Sequence, residues 1–206
     1  MGVRFEAEGL PYEQSYDCGY ATYGLYRLAL AHAISPAAAL VLRELWLGDM
    51  PVDGGGMASF RIRDDDVAGH RPDVGAALGA IAAGMPSARV TAPADGSPAA
   101  VTAPFGEVDA FLRAELGDAC CGCLFYAPDT EGELTGEECA ALVADIEAHL
   151  DGREPPHVLG HNYGETSCAT DEEGRPVPVM RGYDMHGQFM GMFRHCAERG
   201  VRLAWR

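Results

Sequence analysis

The chain has 206 residues, 48% of them hydrophobic, and a formal net charge of −16 from 31 acidic and 15 basic residues. All the basic residues are arginine and none form a run, so the field of the molecule repels phosphate backbones and anionic lipid surfaces. This composition argues against a disordered chain, against a nucleic-acid binder built on a basic stripe and, with no long apolar run, against a membrane-spanning helix.

In chain order, "VRFEAE" alternates Val3, Phe5 and Ala7 with Arg4, Glu6 and Glu8, the two-residue period of a half-buried strand. Asp17 is then placed to cap a helix starting at Cys18, with Ala21, Leu25, Leu28 and Ala29 on its inner face and an end before Ser35-Pro36. Ser35 caps a second helix with Pro36 at its first position, Val41, Leu42, Leu45 and Trp46 on one face, and Gly48 at its end. "GDMPVDGGGM" reads as a flexible loop, "ASFRIR" as a short strand, and "DVGAALGAIAAG" as a small-residue helix. Residues 91–104, rich in Pro, Ala and Gly, are linker-like and mark the one candidate domain boundary in an otherwise single α+β domain spanning residues 1–206.

"FGEVDAFLRAELG" is an amphipathic helix through Val108, Phe111, Leu112 and Leu116, followed by the strand-like "CCGCLFYA". "GEECAALVADIEAHL" carries a stripe of Cys139, Leu142, Val143, Ile146 and Leu150. Residues 151–182 are polar and irregular, a candidate functional loop. "YDMHGQFMGMFRHCAERG" predicts a helix with Tyr183, His186, Phe189, Met190, Phe193 and Cys196 on one face, and "VRLAW" a closing strand. The order of elements predicts an α+β fold with helices packed on a small antiparallel sheet.

Seven cysteines (18, 120, 121, 123, 139, 168 and 196) are odd in number, and two are adjacent, which disfavours a disulfide framework. The opening "MGVRFEAEGL" lacks a basic then apolar leader. Together these features set the expectation of a reducing cytoplasm.

The segment "FYAPDTEGELTGEECAALVADIEAHL" resembles one found in a group of small, mostly actinobacterial proteins of unassigned activity, in which a strand leads through an acidic glycine turn into a helix with an early cysteine. The matching positions are Asp129, Glu131, Gly132, Leu134, Thr135, Cys139, Ala140, Ala141 and Leu142, and "FMGMFRHCAERGVRLAW" is similar to that group's closing helix and strand. The resemblance covers the last two fifths of the chain apart from the long loop. It implies a compact α+β fold and a cytoplasmic location, and no activity. The same turn has two physical readings. Laid on a calcium-binding loop, Asp129, Glu131 and Glu138 fall at ligand positions, with Ala127 where the first carboxylate belongs. Read as helix chemistry, Thr135 caps the following helix and Glu138 reaches back, a capping box.

"DCGYA" looks like the nucleophile segment of papain-like cysteine hydrolases, which use a cysteine at a helix start and a histidine far downstream. That resemblance implies Cys18 as nucleophile with His157 or His161 as base. Two departures stand beside it: Tyr12 occupies the position of the oxyanion glutamine, the nearby glutamine being Gln14, and Asp17 opposes thiolate formation. Cys18 as a small buried residue is the competing reading. Cys120 and Cys123 with His157 and His161 have the spacing of a tetrahedral metal set, against which stand buried cysteines beside Leu124 and Phe125. Asp64, Asp66 and His70 offer a further ligand set or a solvated turn, and the methionines near Phe189 a recognition face or core.

No catalytic set is complete and no cofactor is required. The expectation is therefore a non-enzymatic protein, inhibitor-like or immunity-like in manner, that binds a basic protein partner through its acidic surface and through His157, His161, Tyr163 and Glu165 of the long loop. No nucleic-acid or membrane partner is expected. A cysteine hydrolase using Cys18 is the alternative, and a metal-binding protein using residues 129–138 a further one.

Overall fold

The structure is a computed structural model and describes residues 2–9, 16–48, 50, 52–63, 73–91, 98–128, 130–156, 159–160, 168–170, 176–178 and 183–206. Strand β1 (Gly2–Ala7) is followed by β2 (Tyr16–Gly19), then by helices α1 (Tyr20–Ile34) and α2 (Pro36–Trp46). β3 (Met57–Ile62), α3 (Val74–Gly84), β4 (Arg89–Thr91), β5 (Ala99–Pro104) and α4 (Phe105–Leu116) come next. A short helix, α5 (Asp118–Cys120), continues as a π-helical turn over Cys121–Phe125. β6 (Gly132–Leu134) and α6 (Gly136–Leu150) precede the short pairs of β7 (Leu159–Gly160) with β10 (Tyr183–Asp184) and of β8 (Cys168–Thr170) with β9 (Pro176–Pro178). α7 (Met185–Arg199) and β11 (Leu203–Trp205) close the chain. The fold class is α+β, helices on small antiparallel sheets, as the order of elements predicts.

The residues divide into two compact units. Met1–Tyr26, Ala127–Val143 and Pro156–Arg206 form the first, and Arg27–Tyr126 with Ala144–Pro155 the second.

The first unit is built on an antiparallel sheet of order β2-β1-β11-β6. Alternation in β1 turns Val3, Phe5 and Ala7 inward. Phe5 lies opposite Trp205 and Ala7 opposite Leu203, which in turn faces Leu134, so one face of the sheet is apolar across three strands. Onto it pack aromatic side chains: Phe189 of α7 meets Phe5 edge-on at 4.8 Å between ring centroids, Tyr23 meets Phe5 at 5.1 Å, and Tyr26 stacks on Phe189 at 4.9 Å. Each such burial stabilises the unit by roughly 1.5–3 kcal/mol, with a further ~0.5–1.5 kcal/mol for a well-oriented ring pair. The methionines of α7 belong to this core, since Met185, Met190 and Met192 are buried with Phe189 and Phe193.

Two expectations at the front of the chain are corrected. Cys18 and Gly19 continue strand β2, and the helix begins at Tyr20, because Val3 pairs with Cys18 and Gly2 with Gly19 in the ladder. Backbone hydrogen bonds to β1 win over the capping signal of Asp17. The inner face of α1 also differs: Leu25 is 43% exposed and Ala21 exposed, while Tyr23, Tyr26, Ala29, Leu30 and Ile34 are buried. Rotating α1 by this amount buries two large aromatic rings in place of one leucine.

The second unit is centred on α2, buried from Ala37 to Glu44 around nearly its whole circumference. Its start matches the sequence reading: Ser35 accepts a hydrogen bond from the Ala38 N–H at 3.3 Å, with Pro36 in the first helical position. Val108, Phe111, Leu112 and Leu116 of α4 are all buried, as the periodicity predicts. The sheet of order β3-β5-β4 turns Phe60, Ile62, Val101 and Ala103 inward. One loop reading is corrected here. Residues 99–104 form the central strand β5, paired on both sides, so within the linker-like stretch alternation of Ala99, Val101 and Ala103 outweighs its Pro and Gly content. The glycine-rich segment before β3 is a turn, as its composition predicts, in which Asp53 accepts the N–H groups of Gly55 at 2.8 Å and Met57 at 2.9 Å.

Candidate functional site

Among the described residues, the densest arrangement of chemically capable side chains surrounds Cys120, Cys121 and Cys123. The sequence reads as a strand there, and the structure makes it helical. Gly117 breaks α4 with φ +93°, and the chain re-enters a helix at Asp118. Its free N–H groups are capped from a distance, since Asp145 on α6 accepts the N–H of Ala119 at 2.7 Å and of Cys120 at 3.3 Å. The turn then widens, Tyr126 N–H reaching back five residues to the Cys121 carbonyl at 2.9 Å. Carbonyls left open at its end meet two donors: Arg27 Nη1 bonds Leu124 O at 3.2 Å and Trp46 Nε1 bonds Phe125 O at 2.9 Å. Arg27 also lies over the Trp46 ring, 4.4 Å from its centroid. A buried cation at the negative end of a helix is a favourable placement. Partners distant in sequence thus hold a helix that no local signal announces.

Around this turn runs a polar network. The Tyr126 hydroxyl donates to Asp109 Oδ1 at 3.1 Å, Arg113 Nε to Asp109 Oδ2 at 3.0 Å, and Arg113 Nη1 to Asp118 Oδ1 at 3.3 Å. Hydrogen bonds to Asp109 and Asp118 raise the Arg113 guanidinium above its usual range. Burial pushes the Cys121 thiol up to about 12, against the opposing pull of Arg113 and of the neighbouring Tyr126 hydroxyl. Cys120 is raised further, by burial and then by the Asp145 charge, and Tyr126 is raised by burial, the neighbouring Cys121 and Asp109. Thiols and a phenol held protonated in this way are poor nucleophiles and poor bases near neutral pH. The network suits positioning rather than reaction.

A second polar group lies on α2. Glu44 is fully buried, its Oε1 bonded by Arg43 Nε at 3.2 Å and Nη2 at 3.1 Å, while Oε2 has no hydrogen-bond partner and Arg63 Nη2 stands 3.9 Å away. In the first unit Tyr26, also fully buried, has its hydroxyl 3.3 Å from His186 Nδ1. Sequence reasoning missed Asp145, Glu44 and Arg27 as structural polar groups. Each occupies an ordinary helical position, and only its distant partner distinguishes it.

The residues expected to act lie as follows. Cys18 is on β2 and 2% exposed, rather than at the helix start where a dipole would activate it. His157, His161, Tyr163 and Glu165 lie outside the described residues, as do Asp129, Asp64, Asp66 and His70. Of the acidic turn, Glu131 is exposed and Glu138 belongs to the helix start. Thr135 N–H donates to Glu138 Oε2 at 2.8 Å, Thr135 Oγ1 to the same oxygen at 2.9 Å, and Glu138 N–H to Thr135 Oγ1 at 3.2 Å. That is a complete capping box, and the backbone and side-chain bonds from Thr135 lower the Glu138 carboxyl below its usual range. Cys120 and Cys121 are buried and Cys123 half-buried. Among the described residues, no three His, Cys, Asp or Glu side chains gather into a metal-holding group. No described helix is long and apolar enough to cross a membrane.

Compared with protein-family models, with curated proteins and with solved structures, the chain finds no match in any of the three.

Proposed function

We propose that this protein acts by binding a basic protein partner, in the manner of an inhibitor or immunity factor, and catalyses no reaction of its own. The observation that carries the reading is the division of its reactive groups. The thiols of Cys18, Cys120, Cys121, Cys139 and Cys196 are buried, whereas the carboxylates of Glu131, Glu133 and Glu137, along β6 and the start of α6, are exposed on a chain of net charge −16. Outward carboxylates steer a positively charged partner and set its orientation, and buried thiols supply core volume. A cytoplasmic location and the absence of nucleic-acid partners form part of the same proposal.

The lysine-free sequence gives a direct test. A carbodiimide couples carboxylates to amines, and since this sequence contains no lysine, a carboxylate-to-lysine cross-link joins it to another protein. Cross-linking in cells that express the protein, followed by peptide mapping, is expected to join Glu131, Glu133 or Glu137 to lysines of one discrete partner. The adduct should fade in high salt and in the variant Glu131→Gln/Glu133→Gln/Glu137→Gln. An absence of any discrete adduct, together with labelling of Cys18 by an electrophilic probe far faster than a free cysteine peptide, would transfer the assignment to the cysteine-hydrolase reading.

A further inference from the structure

Two buried thiols in the first unit meet where two helices come together. Cys139 lies in the first turn of α6 and Cys196 in the last turn of α7, and both are fully buried. The helices approach closely here: a Cβ on Gly136 would stand 2.7 Å from the Cys196 carbonyl oxygen and 2.8 Å from Gly200 Cα. Only glycine permits this approach. Cys139 is one helical turn beyond Gly136 and therefore on the same side of α6, towards Cys196. Cys139 is near enough to act on the Cys196 thiol, pulling back part of the rise that burial gives it, and neither residue is in a disulfide.

We infer that Cys139 and Cys196 are a reversible dithiol site, which forms an intramolecular disulfide tying the start of α6 to the end of α7 when the protein meets a low-molecular-weight disulfide. The Gly136 contact holds the start of α6 against the end of α7, so both cysteines sit at one backbone contact, as a disulfide requires. The chemistry is thiol–disulfide exchange. One protein thiol, as thiolate, attacks the small disulfide to give a mixed disulfide and one small thiol, and the second protein thiolate then displaces the other small thiol. The protein loses two protons and two electrons, and the small disulfide gains them as two thiols.

Access is close at hand. Glu137 and Ala140 on α6 and Glu198, Arg199 and Gly200 on α7 are exposed around the buried pair, so fraying of the last turn of α7 opens it to solvent. Burial raises the Cys196 thiol above its usual value, so exchange speeds up as the solution becomes more alkaline. Oxidation closes a long loop of the unfolded chain and stabilises the fold.

The test uses the whole purified chain, reduced and then equilibrated with glutathione disulfide at neutral and mildly alkaline pH. Remaining thiols are alkylated in denaturant and the peptides mapped without reduction. The expected product is the Cys139–Cys196 disulfide, reversed by dithiothreitol, with a thermal midpoint higher by roughly 5–10 °C in the oxidised protein. Cys139→Ser and Cys196→Ser should each abolish both the bond and the shift, and Cys120→Ser neither. The inference is overturned if both thiols of the wild-type chain remain free in excess glutathione disulfide, if they end as glutathione adducts only, or if the bond maps to another pair such as Cys120–Cys123. Since all three readouts come from the wild-type chain, a serine variant that fails to fold does not obscure the answer.

Discussion

The Asp145 carboxylate meets the Ala119 backbone N–H at 2.7 Å, across a separation of 26 residues in the chain. Through this contact α6 supplies the N-cap for the short helix that holds Cys120 and Cys121. The cap depends on Gly117, whose position offers no room: a Cβ there would stand 2.5 Å from Asp145 Oδ2. The positive φ of Gly117 and the closeness of Asp145 are two sides of one arrangement, because the chain turns back sharply enough to bring the N–H groups of Ala119 and Cys120 onto the carboxylate.

Asp145→Ala should therefore destabilise the protein by about 1–2 kcal/mol, and Asp145→Asn by less, since asparagine is an equally good capping acceptor. Gly117→Ala should cost about 1–3 kcal/mol from φ strain and the clash. Because the clash is with Asp145 itself, the double variant should be less destabilised than the sum of the singles. Denaturant unfolding of the four chains measures this, and strict additivity would show that the two residues do not share one arrangement.

The capping box at Thr135 and Glu138 makes an acid-side prediction. The folded Glu138 carboxyl is lowered from its ordinary 4.5, so its contribution to stability is present above about pH 4.5 and lost as the pH falls through the lowered folded value. Thr135→Ala should cost about 1 kcal/mol at neutral pH and flatten this acid-side decline. Thermal midpoints of the two proteins between pH 2.5 and 7 should converge at the acid end.

The network around Tyr126 should divide unevenly by exposure. Asp118 is 84% exposed in its side chain, so its ion pair with Arg113 is screened and Asp118→Asn should change stability by less than about 0.5 kcal/mol. Tyr126→Phe removes a part-buried hydroxyl donor from Asp109 and should cost about 1 kcal/mol. Salt should erase the first effect and leave the second largely intact, as a melting series in rising sodium chloride would show.

Thiol reactivity should follow burial within the Cys120–Cys123 segment. Burial raises both the Cys120 and the Cys121 thiol, so little of either is thiolate at pH 8. Cys123, half-buried, should be alkylated first by iodoacetamide in the native protein, with Cys120 and Cys121 following only on unfolding. Peptide mapping over a time course gives the order, and early modification of Cys121 would contradict the assigned burial.

Much of this architecture is legible along the chain. The alternation of Val3, Phe5 and Ala7, the Ser35-Pro36 helix start, the stripe of Val108, Phe111, Leu112 and Leu116, and the capping box of Thr135 and Glu138 all occur as the residue spacing predicts. These are local features, settled by backbone geometry and by partners within one or two turns. The misread places share the opposite property. Cys18 is drawn into a strand by Val3, the segment after Gly117 is drawn into a helix by Asp145, Arg27 and Trp46, and residues 99–104 are drawn into a sheet by β3 and β4.

The candidate chemistry divides in the same way. Residue types and spacing nominated Cys18, Cys120 and Cys123, but reactivity depends on burial and on the charges nearby, which no spacing encodes. The sequence by itself determined the fold class, the acidic surface and most helix boundaries, because hydrophobic period, capping and charge act over a few residues. Only the tertiary structure decided which thiols are buried, which carboxylate caps a distant helix and which two cysteines meet, because those outcomes depend on side chains that chain folding brings together from far apart.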